Sequence, residues 1–72
     1  MPHEVLAELP GNVWQVLVET GQRVATGEYL LVMETMKMEI PVLAEVDGSV
    51  AEVRVAPGDR VREGDTLVVV EP

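Results

Sequence analysis

Apolar residues recur along this chain in short runs closed by glycine or proline, and no stretch sustains the 3.6-residue spacing of an amphipathic helix. The runs predict short β-strands. Residues 5–9 lie between Pro2 and Pro10-Gly11, residues 13–18 follow, and Arg23-Val24 makes a shorter segment. Residues 29–33 and 66–70 are the most apolar runs, and each leads to a glutamate. Residues 40–46 close a central hairpin against 29–33, with Pro41 predicting an edge or bulged position because it has no amide hydrogen to give a ladder. Farther on, Val53 and Val55 flank Arg54 in plain period-two alternation, and Arg60-Val61 is again short. The spacing from Val13 to Val16, repeated from Val50 to Val53, breaks period two; a bulge near Trp14-Gln15 and another near Ala51-Glu52 would restore the facing.

These elements repeat. Residues 1–34 set against 38–71, with no gap, share 16 identical positions. Val5-Leu6-Ala7-Glu8 returns as Val42-Leu43-Ala44-Glu45, and Gly11, Gly21 and Gly27 return as Gly48, Gly58 and Gly64. Glu19-Thr20-Gly21-Gln22 and Ala56-Pro57-Gly58-Asp59 read as matching turns, and Pro57-Gly58 suits the central pair of a type II turn. The glycines are turn formers; a phosphate cradle would lead into a helix, and none is indicated. Two repeats of about four short segments each predict an all-β fold: two small sheets related by a quasi-two-fold axis, as a compact sandwich or flattened barrel. With no linker or low-complexity stretch, residues 1–72 are expected to form one domain.

Composition sharpens this picture. Fifteen valines and no phenylalanine point to sheets packed by β-branched side chains. A chain of 72 residues buries only about 60% of the surface its unfolded form exposes, so the core is modest. No cysteine is present, which removes disulfides and cysteine-based metal sites and fits a reducing cytoplasm. The formal net charge of −8 repels nucleic-acid phosphates and anionic membranes, and no apolar run approaches the ~20 residues of a membrane span. Neither nucleic acid nor membrane is an expected partner, and a monomer is expected in isolation.

The repeat leaves out three residues, Thr35, Met36 and Lys37, which form its join. Lys37 is the only lysine of the chain and falls at or near the tip of the central hairpin, between Met36 and Met38. Asn-Gly or Asp-Gly would be the easy choice there, and nothing at this tip is a turn former. A repeat that departs from turn chemistry at its join marks a functional constraint. Methionines suit a surface read by more than one partner. A lone loop lysine is ordinarily solvated charge; this one has uniqueness, symmetry and methionine flanks to set against that. Its primary amine on a four-carbon stem can form a stable amide with a carboxylic acid and so tether a cofactor.

Glu34-Thr35-Met36-Lys37-Met38 resembles the attachment motif of the biotinyl domain family, the biotin carboxyl carriers, whose usual form is Glu-Ala/Ser-Met-Lys-Met. Glycines 21, 27, 48, 58 and 64, Val46-Asp47-Gly48 and Val55-Ala56-Pro57-Gly58-Asp59 extend the resemblance over nearly the whole chain. The resemblance implies a flattened barrel of two four-stranded antiparallel sheets with Lys37 exposed on a tight hairpin turn, and that biotin protein ligase joins biotin to Nζ of Lys37. It further implies that a biotin carboxylase loads CO2 onto the ureido nitrogen with ATP and bicarbonate, and that a carboxyltransferase passes it to an acyl-CoA or keto acid. By the same resemblance Met36 and Met38 set biotin rather than lipoate addition, with Glu34 and Thr35 completing the motif. Thr35 departs from the common alanine, and Glu-Thr also precedes the lysine of lipoyl domains, whose tip is usually Asp-Lys-Ala. Some family members carry a protruding thumb in the first half; the gap-free repeat leaves no room for one.

Other residues carry less. His3 is the only histidine and reads as solvated rather than metal-binding, and Asp59, Glu63 and Asp65 read as a charged loop face. Arg23 and Arg60 are expected to pair with nearby acidic groups, and Trp14 to pack over one end of the sandwich. The expected role is that of a non-catalytic carrier, since no nucleophile–base pair or metal-ligand spacing occurs. A lipoyl carrier and an unmodified β-sandwich interaction module are the alternatives.

Overall fold

The computed structural model describes residues 1–72. Eight strands form in chain order: β1 (His3–Leu6), β2 (Gly11–Val16), β3 (Arg23–Val24), β4 (Tyr29–Thr35), β5 (Met38–Leu43), β6 (Gly48–Val53), β7 (Arg60–Val61) and β8 (Thr66–Glu71). They make two antiparallel four-stranded sheets, β1-β8-β6-β3 and β5-β4-β2-β7, packed as a sandwich. The repeat exchanges one sheet for the other, mapping β1 onto β5, β2 onto β6, β3 onto β7 and β4 onto β8. The molecule is elongated, 32 × 18 × 17 Å. No helix is long and apolar enough to cross a membrane.

The core is aliphatic. Leu30, Leu31, Leu67, Val68 and Val70 are fully enclosed, within a cluster of 14 buried residues from both sheets. The expected bulges are present: the register of β2 on β4 shifts across Trp14, and that of β6 on β8 across Ala51. Two more occur where the sequence shows only continuous apolar runs. The pairing of β4 with β5 skips Leu30, and that of β8 with β1 skips Leu67. Each of these bulges turns two successive residues inward, Leu30-Leu31 and Leu67-Val68, and so enriches a small core. Pro41 lies on edge strand β5, where its missing amide hydrogen is tolerated.

Four turns share one design. In 19–22, 25–28, 56–59 and 62–65 the fourth residue's N–H donates to the first residue's carbonyl, at 2.9–3.1 Å. The fourth residue's side chain, Gln22, Glu28, Asp59 or Asp65, accepts the first residue's N–H in return. Glycine takes the third place with φ between 90° and 94°, a conformation costly for any other residue there. Its N–H then reaches the opposite half of the chain: Gly21 to Val50 O at 2.7 Å and Gly58 to Val13 O at 2.8 Å, Gly27 to Ala44 O and Gly64 to Ala7 O both at 2.8 Å.

The sequence reading is corrected in four places. The first strand ends at Leu6 rather than residue 9, because Ala7 N–H turns away to Asp65 O and leaves Leu9 half exposed. Gly11 opens β2 rather than forming a turn. Trp14 is the bulge residue of β2, 46% exposed, and stands outside the core cluster. Arg23 and Arg60 make no ion pair; the pairing arginine is Arg54, 3.2 Å from Glu52 and 3.9 Å from Glu4. The segments 17–22 and 54–59 match in length, as expected for a domain without an inserted thumb.

One clasp has no counterpart under the repeat. Asp47 Oδ1 accepts from Thr26 N at 2.7 Å and from Thr26 Oγ1 at 2.9 Å, holding the β3–β4 turn to the β5–β6 loop. The backbone and then the hydroxyl bond of Thr26, with Arg23 nearby, lower the Asp47 pKa below its ordinary 3.8. A depressed carboxylate pKa contributes stability above the unfolded value that is lost as pH falls through the folded one. Asp47→Asn should therefore melt below wild type at pH 5–7, and the difference should shrink as pH is taken below 3.8. Melting curves at several pH values, with a gap that is constant through pH 3, would contradict this assignment.

Candidate functional site

The β4–β5 hairpin pairs Glu34 with Glu39 and Thr35 with Met38, leaving Met36-Lys37 as a two-residue turn. Positive φ at Met36 (52°), the only non-glycine residue so placed, and not at Lys37 is the sign pattern of a II′ turn, which glycine normally opens. A bulky residue held there stores about 1–3 kcal/mol of strain. The tip thus confirms the expectation of a turn without turn formers. Met36 is 99% exposed and Met38 64%, and Lys37 is exposed and takes part in no ion pair.

Below the tip the chain is held firmly. Thr35 is the only buried polar residue, 8% exposed. A Cβ on Gly11 would stand 2.7 Å from both Glu34 O and Thr35 Cγ2, so β2 must begin with glycine for the tip to seat. At the equivalent Gly48 the close approach is made by Glu71 O and Pro72. One copy of this contact therefore supports the hairpin tip and the other the last residues of β8.

Glu34 and Glu39 stand directly opposite each other, both exposed and neither in an ion pair. Facing like charges on adjacent strands destabilise a sheet by up to about 1 kcal/mol. Glu39 was not singled out in the sequence, although its place two residues beyond Lys37 on a two-residue hairpin puts it opposite Glu34. An open apolar groove of about 540 Å³ starts beside Thr35 and runs between edge strands β1 and β5. His3 Nε2 lies 2.7 Å from Glu45 Oε1, away from the tip. Asp59 and Asp65 act as turn acceptors, and no three His, Cys, Asp or Glu side chains converge to hold a metal ion.

What the fold and tip define is a rigid β-sandwich that presents one amine on a strained two-residue turn. The chain belongs to the biotin/lipoyl attachment family: the family model described as Biotin-requiring enzyme matches residues 1–71. It is a small carrier domain of that family. It is 43% identical over 42 residues to the biotinylated protein TB7.3 homolog of Mycobacterium leprae, covering 58% of this chain and 59% of that one. It is 42% identical over 38 residues to the biotin/lipoyl attachment protein of Bacillus subtilis, covering 53% of this chain and 52% of that one. These matches thus span little more than half the length of either relative. Among solved structures, the urea carboxylase of Kluyveromyces lactis superimposes with a TM-score of 0.93 at 28% identity, over 99% of this chain and 6% of that one.

The strain at the tip sets an order of stabilities. Met36→Gly and Met36→Asn should melt at or above wild type, since both tolerate positive φ. Met36→Val should lose about 1 kcal/mol, a fall in Tm of roughly 4–8 °C. Thermal unfolding of the three variants checks this, and a valine variant as stable as glycine would show that the tip holds no backbone strain.

Proposed function

We propose that this chain is a biotin carboxyl carrier in which biotin protein ligase forms an amide between Lys37 Nζ and the carboxylate of biotin. The carrier then moves CO2 from a biotin carboxylase to a carboxyltransferase that acts on an acyl-CoA or keto acid. The observation that carries the reading is the placement of the only lysine on an exposed two-residue tip between two exposed methionines. The amine there has no carboxylate partner to hold it back, and the chain around it leaves room for an active site to close over the tip.

The residues at the tip fit a covalently held biotin. Lys37 would hold it, Met36 and Met38 would form the apolar collar read by the ligase, and Glu34 and Thr35 would fix the strands beneath. When bound, biotin supplies a ureido nitrogen able to carry a carboxyl group. The chain itself performs no bond-making. The Met36-Lys37 turn holds the amine clear of the sandwich, and the lysine stem gives reach, so that one arm visits two active sites at high effective concentration. Similarity to proteins described as biotinylated supports biotin, while within the tip motif Glu34-Thr35 is the part that also precedes the lysine of lipoyl carriers.

Intact mass after incubation with biotin protein ligase, ATP and biotin should show a single biotinyl adduct on the wild type and none on Lys37→Arg. An adduct formed only with a lipoate ligase and lipoate would make the chain a lipoyl carrier. With neither adduct, the tip would be an unmodified interaction surface.

A further inference from the structure

Sheets exchanged by the repeat have equivalent positions on their outer faces, and here those faces differ in chemistry. Antiparallel Cα partners share a face. On the sheet that carries the tip, Tyr29 lies opposite Leu43 and Val32 opposite Pro41, with the Glu34–Glu39 pair next toward Lys37. Trp14, in the bulge beside Gln15, joins the Val32 row. Trp14, Tyr29 and Leu43 are 46%, 54% and 39% exposed, and Pro41 is exposed as well.

The equivalent positions on the other sheet are Ala51, Thr66, Leu6, Val69 and Glu4; Leu6 is 47% exposed, and polar bonds run across the rest of the face. Thr66 Oγ1 donates to Glu4 Oε1 at 2.6 Å, and Arg54 reaches Glu52 at 3.2 Å. Val69 is buried at 7% between these groups, whereas its equivalent Val32 stays partly open. One outer face is closed by its own hydrogen bonds and ions; the other exposes aromatic and aliphatic groups that run up to the tip.

We propose that this apolar outer face, from Tyr29 and Leu43 to the Glu34–Glu39 pair, is where the ligase that modifies Lys37 docks. The inference rests on the carrier reading above. It gives the docking partner a stated chemistry: an apolar centre to cover Trp14, Tyr29 and Leu43, and cationic side chains beside the tip to neutralise Glu34 and Glu39. Continuity favours this occupant, since the acidic pair is one register step from Thr35–Met38 and any enzyme that grips Lys37 passes over it. Charge disfavours a second copy of the chain, because a net charge of −8 repels itself and the facing glutamates offer a copy nothing opposite in sign. Aromatic residues grouped on an exposed surface are typical of interface centres.

The repeat provides a control, because Leu6 is the equivalent of Leu43 on the other sheet with similar exposure; both also edge the groove between β1 and β5, so equal effects of the two would point to the groove instead. Steady-state biotinylation by a bacterial biotin protein ligase, followed by intact mass, should show KM for the domain raised about tenfold in Trp14→Ser and Leu43→Ser. Turnover at saturation should hold, and Leu6→Ser should match wild type. Glu34→Gln/Glu39→Gln should flatten the fall of kcat/KM with salt. Thermal melts establish that each variant is folded. Equal effects of Leu43→Ser and Leu6→Ser, or none from either, would overturn the docking face while leaving the carrier reading intact. So would a dimer seen in sedimentation equilibrium and dissolved by Trp14→Ser. A wild type that takes no biotin would overturn the carrier reading and the docking with it.

Discussion

Each half of this chain completes the backbone hydrogen bonding of the other. The turn glycines donate across the repeat, Gly21 to Val50 and Gly58 to Val13, Gly27 to Ala44 and Gly64 to Ala7. The carbonyls of Gln22 and Asp59 accept from Val50 and Val13 in return. Buried backbone groups must be paired, so neither half can keep its strand ends satisfied alone. This matters more than usual because two strands are only two residues long and no disulfide is present. The left-handed glycines are therefore more than turn formers: their φ aims an N–H at the partner half, and the sandwich closes through that bond.

The support beneath the tip has its own copy across the repeat. Gly11 makes room for Glu34 and Thr35 just as Gly48 makes room for Glu71 and Pro72. The side chains of Met36 and Lys37 are exposed above that contact, and the strain at Met36 is borne by strands held in register on both sides. A strained turn persists only when its surroundings over-determine it. Here β4 is paired along both edges, and Gly11 admits Thr35 with no space to spare.

Much of this was legible in the sequence. Identity across the gap-free repeat gave two equivalent sheets, the Val13-to-Val16 and Val50-to-Val53 spacings gave two bulges, and the join gave the tip. The bulges at Leu30 and Leu67 were hidden, because a continuous apolar run has no alternation to break and any facing is consistent with it. Gly11 and Gly48 were read as turn residues when their role is close approach, a distinction that depends on what a strand distant in sequence brings beside them. The arginines misled for a related reason. Arg23 and Arg60 repeat and Arg54 does not, yet Arg54 makes the ion pairs, since the repeat preserves what the backbone needs while ion pairs follow the surface chemistry of one sheet. Trp14 replaces an alanine of the other copy and breaks the repeat in the same way.

Those breaks in the repeat are where function is to be sought. Positions that both halves share are fixed by packing and hydrogen bonding, so a difference that no internal contact such as the Asp47–Thr26 clasp explains answers to something outside the frame. Among the differences, several on the outer faces put the apolar member on one side, Trp14 against Ala51, Tyr29 against Thr66 and Pro41 against Glu4, with the three residues of the join beyond them. No contact within the frame accounts for the apolar member lying on the sheet that bears the lysine. The proposed carrier role, an arm offered to other enzymes, supplies a reason. Its reach comes from the side chain, while recognition needs a stiff surface whose position relative to the amine does not vary. A two-residue turn on a fully paired strand gives that fixed relation, and a long flexible loop would give it up.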